Sequence, residues 1–296
     1  MKKAVLLVLV IILMIMTWFM FIKPDDYIAK LSVRTNVGTV NQTLKSWNRI
    51  YNKNYPILQI NTKNLIQKLS FNDSIHTYNW NLERKHDSLT DITIYITDEK
   101  LGGLDRLKKV FFHTSFERRS KATVLQFTDF IRSHLENIKI EIDGLTILPR
   151  KDYAYTEFNG PQDKKVSGMM RDILFIENKL VANNLQLDGP PFLNITHWDT
   201  GKDSISYQFA FPIKSLNSLP QISGIKFGIR HQQKVLKATY NGNYITSDRA
   251  WYALLQYAET HNIEAIPLPI EVFYNNPNMG GNELDWKVEI FLPINE

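Results

Sequence analysis

A duplication in the second half of this 296-residue chain narrows its possible folds more than any other feature. Phe158-Asn159-Gly160 recurs as Tyr240-Asn241-Gly242, and Phe211-Pro212-Ile213 recurs as Leu292-Pro293-Ile294. Between these marks both copies run in the same order. Each starts with a strand, Asp152–Phe158 or Val235–Tyr240. A helix follows, with Val166, Met169, Met170, Ile173 and Leu174 on one face in the first copy and Ala250, Trp251, Leu254, Leu255 and Ala258 in the second. Asp163 and Ser247/Asp248 are candidate helix caps. A proline pair then precedes a strand (Pro190-Pro191-Phe192, Pro267-Leu268-Pro269), and a last strand ends in Pro-Ile. Two tandem β-α-β-β units are the economical reading.

Strand alternation assigns faces within the copies. In the last strand Trp286, Val288, Ile290 and Leu292 point one way, toward the helices, and Lys287, Glu289 and Phe291 the other. In the first copy the face matching the second set carries Ser206, Gln208 and Ala210. The duplication therefore sets an amide, Gln208, and a carboxylate, Glu289, at equivalent positions. Tyr274, two residues past Val272, points to the same region. The plainer readings are a strand glutamate paired with Lys287 or another cation, and a tyrosine packed in the core.

The string Tyr240-Asn-Gly-Asn-Tyr244, then Ala250-Trp-Tyr-Ala-Leu254, then Glu271-Val-Phe-Tyr274-Asn-Asn-Pro277, then Trp286-Lys-Val-Glu289-Ile-Phe-Leu-Pro293-Ile resembles the gyrase-inhibitor-like (GyrI-like) effector-binding domain, which also terminates many bacterial transcription activators. The resemblance spans roughly residues 148–296. It implies a pseudo-twofold pair of β-α-β-β units with a ligand cleft between them. It also places the family's cleft carboxylate on Glu289, with Gln208, Tyr274 and Phe291 as further ligand-binding candidates. No helix-turn-helix precedes the region, so a DNA-binding regulator is disfavoured.

At the other end, Ala4–Ile22 is a nineteen-residue stretch without charge, interrupted only by Thr17. As a helix at about 1.5 Å per residue it nearly matches a hydrocarbon core of ~30 Å. Lys2 and Lys3 precede it and Asp25 and Asp26 follow. The expectation is an uncleaved single-pass anchor (residues 1–23) in a bacterial inner membrane, with the N-terminus cytoplasmic and the remainder periplasmic or extracytoplasmic. A cleaved signal peptide is the alternative, but Phe19-Met20-Phe21-Ile22 is too bulky for a cleavage site.

Residues 24–146 read as a mixed α/β domain. Val40, Leu44, Trp47 and Ile50 mark a helix over 39–50. Tyr78, Trp80 and Leu82, then Ile92, Ile94 and Ile96, alternate as strands, and Phe116, Thr123, Phe127, Ile131 and Leu135 stripe a long closing helix. This order, with a first strand over 27–34, resembles the START-like (SRPBCC, polyketide-cyclase-like) helix-grip superfamily. The fold class expected is α+β: an anchor, a START-like domain, and a duplicated effector-binding domain over 147–296.

Composition mainly excludes. The chain has no cysteine, so disulfides, thiolate nucleophiles and cysteine zinc sites are ruled out. A net charge of +5 without a dense basic block argues against nucleic acid as a partner. Seven scattered histidines form no metal-ligand spacing, and no nucleophile elbow or phosphate-binding loop is present. Neither a cofactor nor a metal is expected, and no protein partner is indicated. The expectation is a membrane-anchored, non-catalytic protein that binds a small molecule, cationic or amphipathic, through Glu289 in an apolar cleft. The rivals are a hydrolase using Glu289 as acid or base and a protein-sequestering module.

Overall fold

A computed structural model of the chain describes residues 2–18, 26–52, 54–72, 74–86, 88–98, 100, 114–215 and 218–295. The chain divides into two compact units, Met1–Arg132 and Ser133–Glu296.

The first unit opens with helix α1 (Lys2–Thr17). No described helix is long and apolar enough to cross a membrane. Residues 19–22 of the expected nineteen-residue span lie outside the described residues. After β1 (Tyr27–Val33) comes α2 (Val37–Tyr51), started by Asn36, whose side chain accepts the Thr39 amide at 2.8 Å. Strands β2 (Leu58–Asn61), β3 (Asn64–Phe71), β4 (Ser74–His86) and β5 (Leu89–Asp98) complete an antiparallel sheet of order β1-β5-β4-β3-β2. Helix α3 (Ser115–Glu136) follows, and its last four residues fall in the second unit. The expected alternation holds: Tyr78, Trp80, Leu82, Ile92, Ile94 and Ile96 are all buried. Trp47 of α2 and Trp80 of β4 both pack edge-on to Phe127 of α3, at 5.6 and 4.8 Å. The strand–helix–sheet–helix order is as expected.

The second unit is built on one eight-stranded sheet. Its elements are β6 (Ile138–Leu148), β7 (Lys151–Pro161), α4 (Lys165–Ala182), β8 (Phe192–Asp199), β9 (Ser204–Ile213), β10 (Lys226–Arg230), β11 (Gln233–Gly242), α5 (Arg249–Thr260), β12 (Ile270–Phe273) and β13 (Lys287–Pro293). The order is β10-β7-β9-β8-β12-β13-β11-β6, all antiparallel. The two halves meet where β8 pairs β12, with Leu193 opposite Glu271. The row Gln208–Asn194–Ile270–Phe291 is then the counterpart of Glu289–Val272–Phe192–Ala210. Gln208 and Glu289 are thus related by the pseudo-twofold, and so are β9 and β13.

Two features were not anticipated. The expected domain boundary at residue 146 cuts through β6, which pairs along its length with β11; the boundary lies instead at Arg132/Ser133. β10 adds the matching edge beside β7. These edges impose curvature. β6 and β7 are six strand positions apart, about 29 Å in a flat sheet, yet only Pro149 and Arg150 join them, a link of at most about 11 Å. The same holds for β10 and β11, joined by His231 and Gln232. The sheet must curl, so both its faces acquire a core. Helices α4 and α5 cover one face, burying Tyr207, Phe209, Leu236, Tyr240, Val288, Ile290 and Leu292 with Trp251, Leu254, Ile176 and Leu180. The inner face buries Tyr153, Phe192, Ala210, Val235, Ile270, Val272 and Phe291.

The helix faces differ in one respect from expectation. α5 buries Ala250, Trp251, Leu254 and Ala258 as read, but α4 turns Met169, Ile176 and Leu180 inward and leaves Leu174 66% exposed. Gly168 sets this rotation: a Cβ there would stand 2.3 Å from Tyr207 Oη, whose hydroxyl donates to the Lys165 carbonyl at 2.8 Å. Neither helix uses a side-chain cap. Short 3-10 turns over 162–164 and 244–246 lead into them, and the cap candidates Ser247 and Asp248 serve other bonds.

Candidate functional site

Three clusters of the second unit combine polar groups with aromatic surface. The first contains the residues singled out in the sequence. Glu289 lies mid-strand on β13, facing away from α4 and α5 as alternation requires. Its carboxylate accepts from Tyr274 Oη at 2.6 Å and from Lys287 Nζ at 2.8 Å, and pairs with Lys237 Nζ at 3.0 Å. Lys237 comes from the neighbouring strand β11, where it stands opposite Phe291. Burial alone would raise the Glu289 carboxyl, but the donors Lys287, Tyr274 and Lys237 outweigh it and bring it down to about 2. Tyr274 is pushed up, first by burial and then by the carboxylate it bonds. Lys287 Nζ also lies 4.9 Å from the Tyr274 ring centroid.

The structure therefore brings Tyr274 and Glu289 together. Phe291 sits two positions along the same strand face, buried in the inner core. Gln208 occupies the other half, where its Oε1 accepts from Tyr153 Oη and Asn194 Nδ2, each at 3.0 Å. The two pseudo-equivalent polar groups are each satisfied within their own half.

The second cluster was not read from the sequence. Glu271 of β12 points to the helix side at the junction of the halves and is fully buried. Both its oxygens lie 2.8 Å from Lys165 Nζ, and Oε1 also accepts from Trp251 Nε1 at 2.6 Å and Ser247 Oγ at 2.9 Å. Lys165 opens α4 of the first copy, while Ser247 and Trp251 belong to the second, so the pair ties the copies together. Burial pushes the Glu271 carboxyl up, against the pull of Lys165 and Ser247. An adjoining network continues the link: Gln162 Nε2 donates to Asp248 Oδ2 at 2.6 Å, and Trp198 Nε1 donates to Gln162 Oε1 at 2.9 Å.

The third feature is a cavity of about 300 Å³ beside this pair. Val166, Met169, Met170 and Ile173 of α4 form one wall, and Phe209, Tyr244 and Phe273 face them. Pro190 and Pro191 close one side, and the 274–277 segment supplies Tyr274, Asn275 and Asn276. Val166 directly follows Lys165. Phe273 shares a strand face with Glu271, one residue removed. The Tyr244 and Phe273 rings pack at 5.0 Å, and burial raises the Tyr244 hydroxyl to about 12. Tyr274 joins the cavity to the Glu289 cluster, since it lines the one and bonds the other. A space of this size with mostly apolar walls and a few convergent polar groups suits a small organic molecule.

Residues 173–295 match the family described as the GyrI-like small molecule binding domain. No curated protein matches the chain. Among solved structures, the EcmrR C-terminal domain is similar at 15% identity and a TM-score of 0.46, covering 54% of this chain and 98% of that one. SAV2435 bound to tetraphenylphosphonium is similar at 10% identity and a TM-score of 0.39, with 52% and 94% covered. A hydrolase from Listeria innocua is similar at 13% identity and a TM-score of 0.35, with 53% and 92% covered. The START-like reading of the first unit is not confirmed by these matches.

Proposed function

We propose that this chain, whose residues 173–295 carry a GyrI-like small molecule binding domain, holds a small and largely apolar molecule in the cavity between α4 and the end of β12, and does so at a membrane. The observation that carries the reading is the cavity itself: about 300 Å³ walled by Val166, Met169, Ile173, Phe209 and Phe273, next to a buried ion pair. Burial of the ligand's apolar surface would supply most of the affinity, at roughly 25 cal/mol per Å². The membrane part rests on the sequence of residues 4–22 and on the exposure of every residue from Leu6 to Ile15 along α1, between 44 and 66%.

Binding without chemistry is favoured over hydrolysis by the state of the two carboxylates. A general acid or base works best with a pKa near the operating pH. Glu289 is held near 2 by three donors, and Glu271 is shut from solvent with its oxygens engaged.

Native purification of the full chain followed by mass spectrometry of extracted small molecules tests the reading. Val166→Trp fills the cavity from a half-buried position. It is expected to empty the protein of retained ligand while leaving the thermal midpoint within about 2 °C of wild type. Retention of the same molecules by a folded Val166→Trp protein would refute the cavity as the site.

A further inference from the structure

We propose that the cavity selects an uncharged ligand, because the carboxylate buried beside it already holds a cation supplied by the chain itself, the ammonium of Lys165. This rests on the cavity reading above and deepens it. The ammonium sits symmetrically on Glu271, 2.8 Å from each oxygen, with both side chains no more than 2% exposed. Its contact with Ser247 Oγ at 2.5 Å and the Trp251 ring 5.0 Å away complete its surroundings. Trp251 and Ser247 occupy the acceptor capacity of Oε1 that Lys165 leaves.

The two residues that carry this pair into the cavity wall are Val166 and Phe273. A ligand against them meets a neutral ion pair. A ligand cation placed there would find no uncompensated negative charge to offset the hydration it loses, a cost that an uncharged ligand does not carry. The Glu289 cluster offers no alternative, since Lys237 and Lys287 already neutralise it. Glu177 is the one carboxylate among the lining residues. It is half-buried, so its attraction is that of a solvent-screened pair, at most about fivefold in affinity.

The polar requirement of the cavity is different in kind. Asn275 Oδ1 accepts the Lys287 amide and Asn276 Oδ1 accepts the Asn278 amide, which leaves the side-chain N–H groups of both as donors. The matching ligand is apolar over most of its surface and carries a carbonyl, ether or hydroxyl acceptor.

A pair of isosteres separates charge from shape: 4-tert-butylbenzophenone and its trimethylammonio counterpart. Affinities are measured on the full chain in lipid nanodiscs, with Val166→Trp as the background for probe taken up by lipid. Wild type is expected to bind the neutral probe at least tenfold more tightly. Lys165→Ala, which removes the tethered cation, is expected to raise affinity for the charged probe at least tenfold, and Lys165→Ala/Glu271→Gln to reverse that gain. A wild-type protein that binds the charged probe as tightly as the neutral one or more so, in a manner blocked by Val166→Trp, overturns the proposal. So does a folded Lys165→Ala protein with unchanged preference. If Lys165→Ala does not fold, the wild-type ratio alone decides. Binding of neither probe above the Val166→Trp background removes the cavity reading itself.

Discussion

Glu289 shows how far a single residue can be read before its neighbours are known. Period-two alternation places it on the face opposite Val288, Ile290 and Leu292, and the structure agrees. Lys287 was foreseeable as a partner, being two residues away on the same face. Lys237 was not, because its approach depends on β11 pairing with β13, a contact between residues 52 positions apart. Glu271 was harder still: flanked by Ile270 and Val272, it looks like any strand glutamate, and Lys165 looks like an exposed lysine at a helix start. Only docking the two copies reveals that both are buried. The three donors on Glu289 make a stability prediction. The carboxyl lies near 2 in the folded chain against 4.5 ordinarily, so its contribution is present above about pH 4.5 and is lost as pH falls toward 2. Because Lys287 and Tyr274 are themselves well exposed, the full shift is discounted to about 1–2 kcal/mol. Glu289→Gln should lower stability by that amount at pH 7, and the two proteins should converge near pH 2. His134 has its own window: burial is the main cause that lowers it from 6.5 to about 4, so that stability rises with pH between those values in both proteins. The comparison is therefore read below pH 4, by denaturant titration. A constant difference down to pH 2 would show that the charge of Glu289 contributes nothing.

Elements were legible where one face alone is buried, and illegible where curvature buries both. In the first unit β4 and β5 alternate cleanly, and α3 carries its stripe, so their existence and orientation followed from periodicity. β12 reads buried at all four positions, because it lies at the centre of a curled sheet with a core on each side. β6 was assigned to the wrong domain for a related reason. Ile138, Ile140 and Ile142 alternate as in any edge strand, but nothing local tells which sheet the strand joins. Its ten-residue pairing with β11 decides that. The prediction follows at this scale. A fragment starting at residue 147 leaves β11 as an unprotected edge and uncovers Leu236, Ala238 and Tyr240 beside it, whereas one starting at 133 keeps the edge covered. The 133–296 fragment should be soluble and unfold cooperatively. The 147–296 fragment should aggregate or melt at least 10 °C lower. Equal midpoints would mean that β6 is an accessory to this unit rather than part of it.

At the scale of the whole molecule, the duplication was the most legible property, because two copies supply independent evidence for one pattern, and the pairing of Leu193 with Glu271 gives its centre. The N-terminal segment is legible in a different sense: its composition limits what it can do. Ten consecutive apolar residues, Leu6 to Ile15, are all exposed along α1. A contiguous apolar surface of that size calls for a cover, whether a protein partner or a bilayer. The described helix covers 16 residues, about 24 Å at 1.5 Å per residue, and the apolar sequence continues through Ile22 to the length that ~30 Å of hydrocarbon requires. The flanking charges, Lys2 and Lys3 before and Asp25 and Asp26 after, set the expected orientation. Such an anchor would also suit the proposed ligand, since uncharged apolar molecules concentrate in membranes and a tethered cavity samples them there. The full chain should remain with membranes after carbonate extraction, and its N-terminus should still precede Ala4. A chain lacking residues 1–25 should appear in the soluble fraction with an unchanged thermal midpoint, because Leu6 to Ile15 are all exposed and none of them belongs to the buried core. A mature N-terminus beyond Ile22 would make the segment a cleaved leader, and release of the intact chain by carbonate would make it a surface-associated helix. In either case the cavity would have to find its ligand in solution.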